Sequence, residues 1–215
     1  MFSVKTQEAS RKKSSSGQSS TVRSQAVEWI WNYLRDVATP HVLDCGAVSS
    51  ATISVLVERQ AKVYVADVIA PLQRGNPAFW RQEDNQTLFC PDELLKQVPD
   101  IPSGSLSLIC CWHLLDLVPR DHAPALVHFL LSLLGPGGIL FCFLRESNLS
   151  LGKDARWWLE TLTTLGSEGE SAGSFPYSPL SNREIERLTT GCSVKTFLTR
   201  SHRREVVVLK AQEEA

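Results

Sequence analysis

The chain has 215 residues, of which 43% are hydrophobic and 21% charged, so it is long enough for one globular domain with a sizeable core. Its net charge of −1 offers no broad field for nucleic acid or an anionic membrane. The longest apolar run, Ala123 to Leu134, contains His128 and stops well short of the ~20 residues that a membrane span needs. The N-terminus is polar and lacks the apolar core of a secretory signal. We therefore expect no strong nucleic-acid signal and no membrane segment.

Three stretches of the chain differ in composition and define the expected domains. Residues 1–24 are rich in Ser and Gln and carry five basic residues against one acid, Glu8, which predicts a disordered basic tail. Residues 25–212 are expected to form the folded domain. Within it, residues 147–180 end in a Gly/Ser/Pro-rich loop and are expected to be a substrate-side insertion or lid.

Hydrophobic periodicity predicts alternating helices and strands along the chain. In order, the predicted elements are a helix from Thr21, strands at 41–45 and 62–67 with a helix at 52–59 between them, a short strand near 88–89, a helix near 92–97, strands at 106–112 and 139–144 flanking a helix at 122–134, helices at 154–165 and from Ser181, and strands at 193–199 and 205–210. This alternation predicts an α/β, doubly wound, mostly parallel sheet. The short link between the last two strands predicts an antiparallel hairpin.

Topology alone indicates where a ligand binds in such a sheet. Ligands lie beyond the carboxyl ends of parallel strands. The residues to inspect are therefore Asp44 to Ser50, Asp67 to Ile69, Cys111 to Asp116 and Leu144 to Glu146. Aromatic side chains of the predicted insertion are candidates for a lid over substrate, with packing onto the sheet as the alternative; they are Trp157, Trp158, Phe175 and Tyr177.

Several motifs in this order resemble those of the class I S-adenosylmethionine (SAM)-dependent methyltransferases. Residues 42–50, Val-Leu-Asp-Cys-Gly-Ala-Val-Ser-Ser, are similar to the family's first motif, apolar-apolar-Asp-x-Gly-x-Gly-x-Gly. Asp67 ends the second strand at the family's usual distance, and residues 134–138, Leu-Gly-Pro-Gly-Gly, resemble the turn before the fifth strand. The resemblance covers roughly residues 25 to 210.

The resemblance implies a Rossmann-like fold with a seven-stranded sheet, SAM as cofactor, and methyl transfer to an unidentified small or medium-sized molecule. The residues it implies for cofactor binding are Asp44, Gly46, Val48, Asp67, Val68, Cys111 and Trp112. Asp67 would hold the ribose hydroxyls, since a carboxylate can accept from both. Trp112 is a candidate to stack on adenine, with core packing as the alternative, and His113 is a candidate general base.

The cysteines predict neither a metal site nor a disulfide framework. The chain has six, and none forms a C-x-x-C pair. Most lie in apolar, strand-like runs, which is typical of buried reduced thiols. We therefore expect no metal and a cytoplasmic location.

Two departures from the family's pattern leave alternatives open. Val48 and Ser50 replace glycines of the cofactor loop, where a positive φ would penalise a β-branched residue. A catalytically inactive methyltransferase-like binding or scaffold protein is therefore the alternative to an enzyme. A nicotinamide-dependent oxidoreductase is disfavoured because G-x-G-x-x-G is absent.

Overall fold

The computed structural model describes residues 19–84, 86–146, 154–171, 177–199 and 203–212. In chain order the elements are β1 (Ser19–Arg23), α1 (Gln25–Tyr33), β2 (His41–Asp44), α2 (Ser50–Glu58), β3 (Lys62–Val65), α3 (Ile69–Gln73), β4 (Trp80–Glu83), β5 (Gln86–Phe89), α4 (Pro91–Leu95), β6 (Leu106–Trp112), α5 (Leu114–Leu117), α6 (Ala123–Leu133), β7 (Leu134–Arg145), β8 (Asp154–Leu159), β9 (Thr164–Ser171), α7 (Asn182–Leu188), β10 (Cys192–Leu198) and β11 (Arg203–Lys210). Among the described residues, no helix is both long and apolar enough to span a membrane.

A central sheet organises the domain, with the strand order β10-β11-β7-β6-β2-β3. Strands β3, β2, β6 and β7 run parallel, whereas β11 is antiparallel to both β7 and β10. The middle strands are buried from Leu108 to Trp112 and from Gly137 to Arg145. Because alternate side chains of a strand point to opposite faces, both faces of the sheet are covered. The predicted α/β fold and the terminal antiparallel hairpin are confirmed.

Within the described residues the central sheet has six strands, one fewer than expected. The strand predicted near Leu88 is present as β5, but it pairs with β4 in a separate two-stranded hairpin. Trp80 and Phe89 pack edge to face across this hairpin, with ring centroids 5.1 Å apart. Among the described strands β5 pairs only with β4, so it does not extend the central sheet beyond β3.

A second sheet, with the order β1-β9-β8, lies where the sequence predicted a helix. The helix expected over residues 154–165 is wrong, because this segment forms β8 and the turn into β9. Contacts with distant residues explain the difference: the Leu159 amide donates to Thr52 Oγ1 (3.0 Å), and the Ser24 amide donates to the Thr163 carbonyl (2.9 Å). Trp158 lies opposite Gly166, where an added Cβ would stand 2.3 Å from the indole ring.

The N-terminal boundary also differs from the expectation. The first helix begins at Gln25 instead of Thr21, with the Ser24 hydroxyl accepting from the Val27 amide as its N-cap. Residues 19–23 of the predicted tail form β1, which pairs with β9. Residues 1–18 of that tail lie outside the described residues, as do residues 147–153 and 172–176 of the predicted insertion.

Candidate functional site

A cavity of about 520 Å3 lies at the carboxyl ends of β2, β3 and β6. Its walls are the loop after β2 (residues 46–48), Asp67 and the adjoining side of α3, the two residues at the end of β6, and Arg156 with Trp157 of β8. This is the edge of the sheet where topology predicts a ligand site. Its volume falls within the ~300–1,000 Å3 of typical small-molecule pockets.

A buried carboxylate organises the loop after β2. Asp44 is 3% exposed, and its Oδ1 accepts hydrogen bonds from the Gly46 amide (2.9 Å) and from Trp112 Nε1 (2.6 Å). Burial raises the pKa of Asp44 above its ordinary value, while these two hydrogen bonds oppose the rise. Asp44 thus joins the ends of β2 and β6, and its side chain does not line the cavity.

Gly46 occupies a position where no side chain fits. A Cβ placed there would lie 2.9 Å from Trp112 Nε1 and 3.1 Å from Asp44 Oδ1. Trp112 itself has φ +49°, in the left-handed region, and its indole packs edge to face against Phe141 with centroids 5.8 Å apart. Glycine is therefore required at position 46 by close approach of the indole, and Trp112 is part of both core and cavity wall.

The substituted positions of the loop carry no such constraint. The described non-glycine residues with positive φ are Gln60, Asp84 and Trp112, so Val48 and Ser50 lie in ordinary backbone regions. The Val48 side chain is 58% exposed and lines the cavity, and Ser50 is the first residue of α2. The positive φ that would penalise these two replacements is therefore absent at both positions.

Asp67 places an exposed carboxylate in the lining of the cavity, after β3. It accepts a long hydrogen bond at Oδ1 from the Ala70 amide (3.4 Å). Because this contact occupies Oδ1 only weakly, the carboxylate remains able to accept hydrogen bonds from a ligand.

His113 lies next to the cavity but in a setting that keeps it neutral. It is 2% exposed, and its Nε2 lies 3.1 Å from Gln73 Nε2. Burial, as the largest cause, and the positive charges of Arg203 and Arg145 together lower the pKa of His113 from 6.5 to about 3. Near pH 7 its imidazole is uncharged and accepts a proton poorly, which disfavours a role as general base.

The wall formed by β8 is held by aromatic and cationic packing. Trp157 meets Phe143 edge to face with centroids 4.6 Å apart, and the Arg203 guanidinium lies 5.1 Å from the Trp157 ring centroid. The neighbouring residue, Arg156, donates a hydrogen bond from Nη2 to the Val48 carbonyl. The second sheet therefore contacts the loop after β2 directly.

A sequence model of a methyltransferase domain matches residues 17–169, which is more than two thirds of the chain. The chain belongs to the methyltransferase-domain family. This membership confirms the resemblance to the class I SAM-dependent methyltransferases and accounts for the Rossmann-like topology. No curated protein matches the sequence.

Solved structures similar to this methyltransferase domain are distant in sequence. A SAM-dependent methyltransferase from Methanosarcina mazei is 17% identical, with a TM-score of 0.48 over 86% of this chain and 98% of that one. The 1,6-didemethyltoxoflavin N1-methyltransferase of Burkholderia thailandensis, solved with its substrate and S-adenosylhomocysteine, is 15% identical, with a TM-score of 0.46 over 87% and 79% of the two chains. A SAM-dependent methyltransferase from Aquifex aeolicus is 13% identical, with a TM-score of 0.46 over 86% and 89%.

The methyltransferase domain brings together most of the residues singled out in its sequence. Gly46, Val48, Asp67, Trp112 and His113 line one cavity. Three other residues implied for cofactor binding have buried side chains that do not line it: Asp44, Val68 and Cys111. For Val68 and Cys111 this leaves contact through main-chain atoms, and their assignment stays a prediction.

Sequence reasoning missed Arg156, Arg74 and Gln73 as cavity residues. Arg74 and Gln73 lie on the α3 side of the cavity. Because residues 154–165 were expected to form a helix, nothing in the sequence placed Arg156 next to the loop after β2. Trp157 was flagged as a lid candidate and does line the cavity, whereas Trp158 packs on Gly166.

The remaining titratable groups named from the sequence are not among the residues that line the cavity. All six cysteines are free, and Cys45, Cys110, Cys111 and Cys142 are buried. Asp116 and Arg145, which lie in two of the strand-end segments to inspect, form a buried ion pair with Asp116 Oδ2 3.5 Å from Arg145 Nε.

Proposed function

We propose that this protein is a SAM-dependent methyltransferase that methylates a small or medium-sized molecule. The observation that carries the proposal is that Asp67 and the Gly46 turn, which follow the adjacent strands β3 and β2, line one cavity. An exposed carboxylate suits a vicinal diol, and a turn without a Cβ allows a ligand to approach the main chain. The residues present therefore fit SAM, with Asp67 holding the ribose and the loop at 46–48 bordering the methionine part.

The remaining cavity residues support positioning of the reactants. When bound, SAM would supply a methyl group on a positively charged sulfur. The nucleophile of the acceptor takes that methyl group, and S-adenosylhomocysteine leaves with the electron pair of the broken carbon–sulfur bond. Trp157, which is partly exposed, offers apolar surface for a planar or apolar acceptor. Holding two reactants in line supplies much of the rate of such a transfer without any proton transfer.

The acceptor expected on this basis has a nucleophilic atom that needs no strong base. His113 was a candidate base, but its pKa of about 3 makes it a poor proton acceptor at neutral pH. We propose that His113, through its contact with Gln73, helps to shape the cavity between β6 and α3. The free cysteines suit a reducing compartment, so a cytoplasmic location is part of the proposal.

The proposal is tested by calorimetric titration of the purified chain with SAM and with S-adenosylhomocysteine. Asp67→Ala removes the only negative charge among the described cavity residues and should weaken both ligands by about tenfold or more, as expected for lost hydrogen bonds to a charged group. The matched control is Asp100→Ala, which removes an exposed carboxylate outside the cavity and should leave both affinities unchanged. Equal effects of the two substitutions would show that the ribose site is misplaced.

Binding alone does not separate an enzyme from a methyltransferase-like binding protein. Transfer of labelled methyl from SAM to low-molecular-weight fractions of a cell extract is the second measurement. Incorporation that disappears in Asp67→Ala would support catalysis. SAM binding without incorporation into any fraction would favour the binding-protein alternative, which rests on the two glycine replacements in the loop.

A further inference from the structure

Arg156 connects the second sheet to the cofactor loop. It lies on β8, is exposed, and lines the cavity next to Trp157. Its Nη2 donates a hydrogen bond to the main-chain carbonyl of Val48. A guanidinium carries five N–H donors in a planar fork, so a single bond to a carbonyl leaves capacity for a second, negatively charged acceptor.

The strand that carries Arg156 is held by contacts at the residues that follow it. Three residues further along, the Leu159 amide donates to Thr52 Oγ1 of α2 (3.0 Å). The adjacent Trp157 packs against Phe143, with ring centroids 4.6 Å apart. The arginine is thus presented from a rigid strand, which reduces the entropy lost when its side chain binds a ligand.

Charge is divided between the walls of the cavity. Among the described residues lining it, the charged ones are Asp67 and Arg74 on the β3–α3 side and Arg156 on the side of the loop after β2. The positive charge of Arg156 also lowers the pKa of the buried Asp44 carboxyl beneath that loop, which opposes the larger effect of burial. An anionic group of a ligand that reaches the loop therefore meets Arg156.

We propose that Arg156 binds the carboxylate of the methionine part of SAM. This inference rests on the proposed function, because it requires SAM to bind with its ribose at Asp67. The methionine part then extends toward Val48, where the guanidinium lies. A carboxylate and a guanidinium match as a bidentate, charge-assisted pair. The same arginine donates a hydrogen bond to the Val48 carbonyl. One side chain would then both support the loop after β2 and bind the ligand.

The test compares two ligands that differ only in the carboxylate. SAM and decarboxylated SAM share the adenosine, the sulfonium and the ammonium group. For Arg156→Gln, calorimetry should show SAM binding weakened by about tenfold or more, as expected for one charge-assisted contact. The affinity for decarboxylated SAM should stay that of the wild type. Arg156→Lys, which keeps the charge but not the fork, should fall between wild type and Arg156→Gln for SAM alone.

Arg74→Gln is the matched control, since it removes the other arginine that lines the cavity, which directly follows α3 and lies outside the second sheet. It should not discriminate between the two ligands. Equal weakening of both ligands in Arg156→Gln would mean that the arginine only supports the Val48 loop, and unchanged SAM affinity would exclude any contact; either result overturns the inference. If the wild-type chain binds neither ligand, the proposed function itself fails, which is a different outcome from the first two.

Discussion

Substitutions at Asp44 separate its hydrogen-bonding role from its charge. Its Oδ1 accepts from two buried donors, the Gly46 amide at 2.9 Å and Trp112 Nε1 at 2.6 Å. Asp44→Ala leaves both donors without an acceptor, and each such loss costs about 1–3 kcal/mol. We therefore expect the free energy of unfolding to fall by roughly 2–6 kcal/mol. Asp44→Asn keeps an Oδ1 acceptor at the same place and should lose much less.

The charge of Asp44 adds a pH dependence of known sign. Burial, as the largest cause, raises the pKa of Asp44 above 3.8 in the folded protein. Between the unfolded and folded pKa values the folded state binds more protons, so the contribution of Asp44 to stability falls as pH rises through that window. Above the folded pKa the contribution is constant. Asp44→Asn has no titrating group and should lack this slope.

Urea unfolding followed by far-ultraviolet circular dichroism from pH 4 to 8 measures both effects. Asp100→Ala, an exposed carboxylate outside the cavity, is the control for a general change in charge. The reasoning would be refuted by an Asp44→Ala loss below about 1 kcal/mol, the least that one orphaned buried donor costs. An Asp44→Asn variant as unstable as Asp44→Ala would refute it equally, because the acceptor would then be irrelevant.

Two further predictions concern the loop and the buried imidazole. Gly46→Ala should lower the free energy of unfolding by about 1–3 kcal/mol through overpacking. Val48→Gly should lower it by only about 0.5–1 kcal/mol, from backbone entropy, and should leave SAM affinity equal or tighter. Comparable losses in the two variants would contradict the assignment of the steric constraint to Gly46. The pKa of His113 is about 3 when folded, against 6.5 as its ordinary value, so the unfolded chain takes up a proton first and stability falls as pH drops through this range. In His113→Gln the free energy of unfolding, measured by urea titration, should depend less on pH in this acidic range. An unchanged pH dependence would mean that the imidazole is accessible to solvent in the folded protein.

The parts of the fold that sequence could predict are those with local signals. The strand from Leu106 to Trp112 is apolar throughout, and this property alone indicates a central strand covered on both faces. Asp44, Gly46 and Asp67 could be placed together because strand ends of a parallel sheet meet at one edge. None of these inferences needed a contact between distant residues beyond the order of the strands.

The parts that could not be predicted depend on long-range contacts. The β8 segment has aromatic and polar residues in an order compatible with a helix, and its strand conformation follows from pairing with β9 and from the Thr52 hydroxyl more than a hundred residues earlier. The same holds for His113, whose neutral state depends on complete burial and on Arg145 and Arg203 from later strands. No local sequence pattern indicates the strand conformation of β8 or the burial of His113.

The glycines of a cofactor loop are constrained for different physical reasons, and this chain keeps the one whose constraint is steric. At position 46 a Cβ would come too close to the Trp112 indole and to the Asp44 carboxylate, which accepts hydrogen bonds from that indole and from the Gly46 amide. At position 48 the backbone has an ordinary φ and the side chain is largely exposed, so valine meets neither a steric nor a conformational barrier. The loss of glycine at this position therefore imposes no strain on the folded loop, and its effect on SAM binding is what Val48→Gly measures. On the proposed function, evidence about catalysis must come from the acceptor, because His113 with its pKa of about 3 offers a nucleophile little general-base assistance.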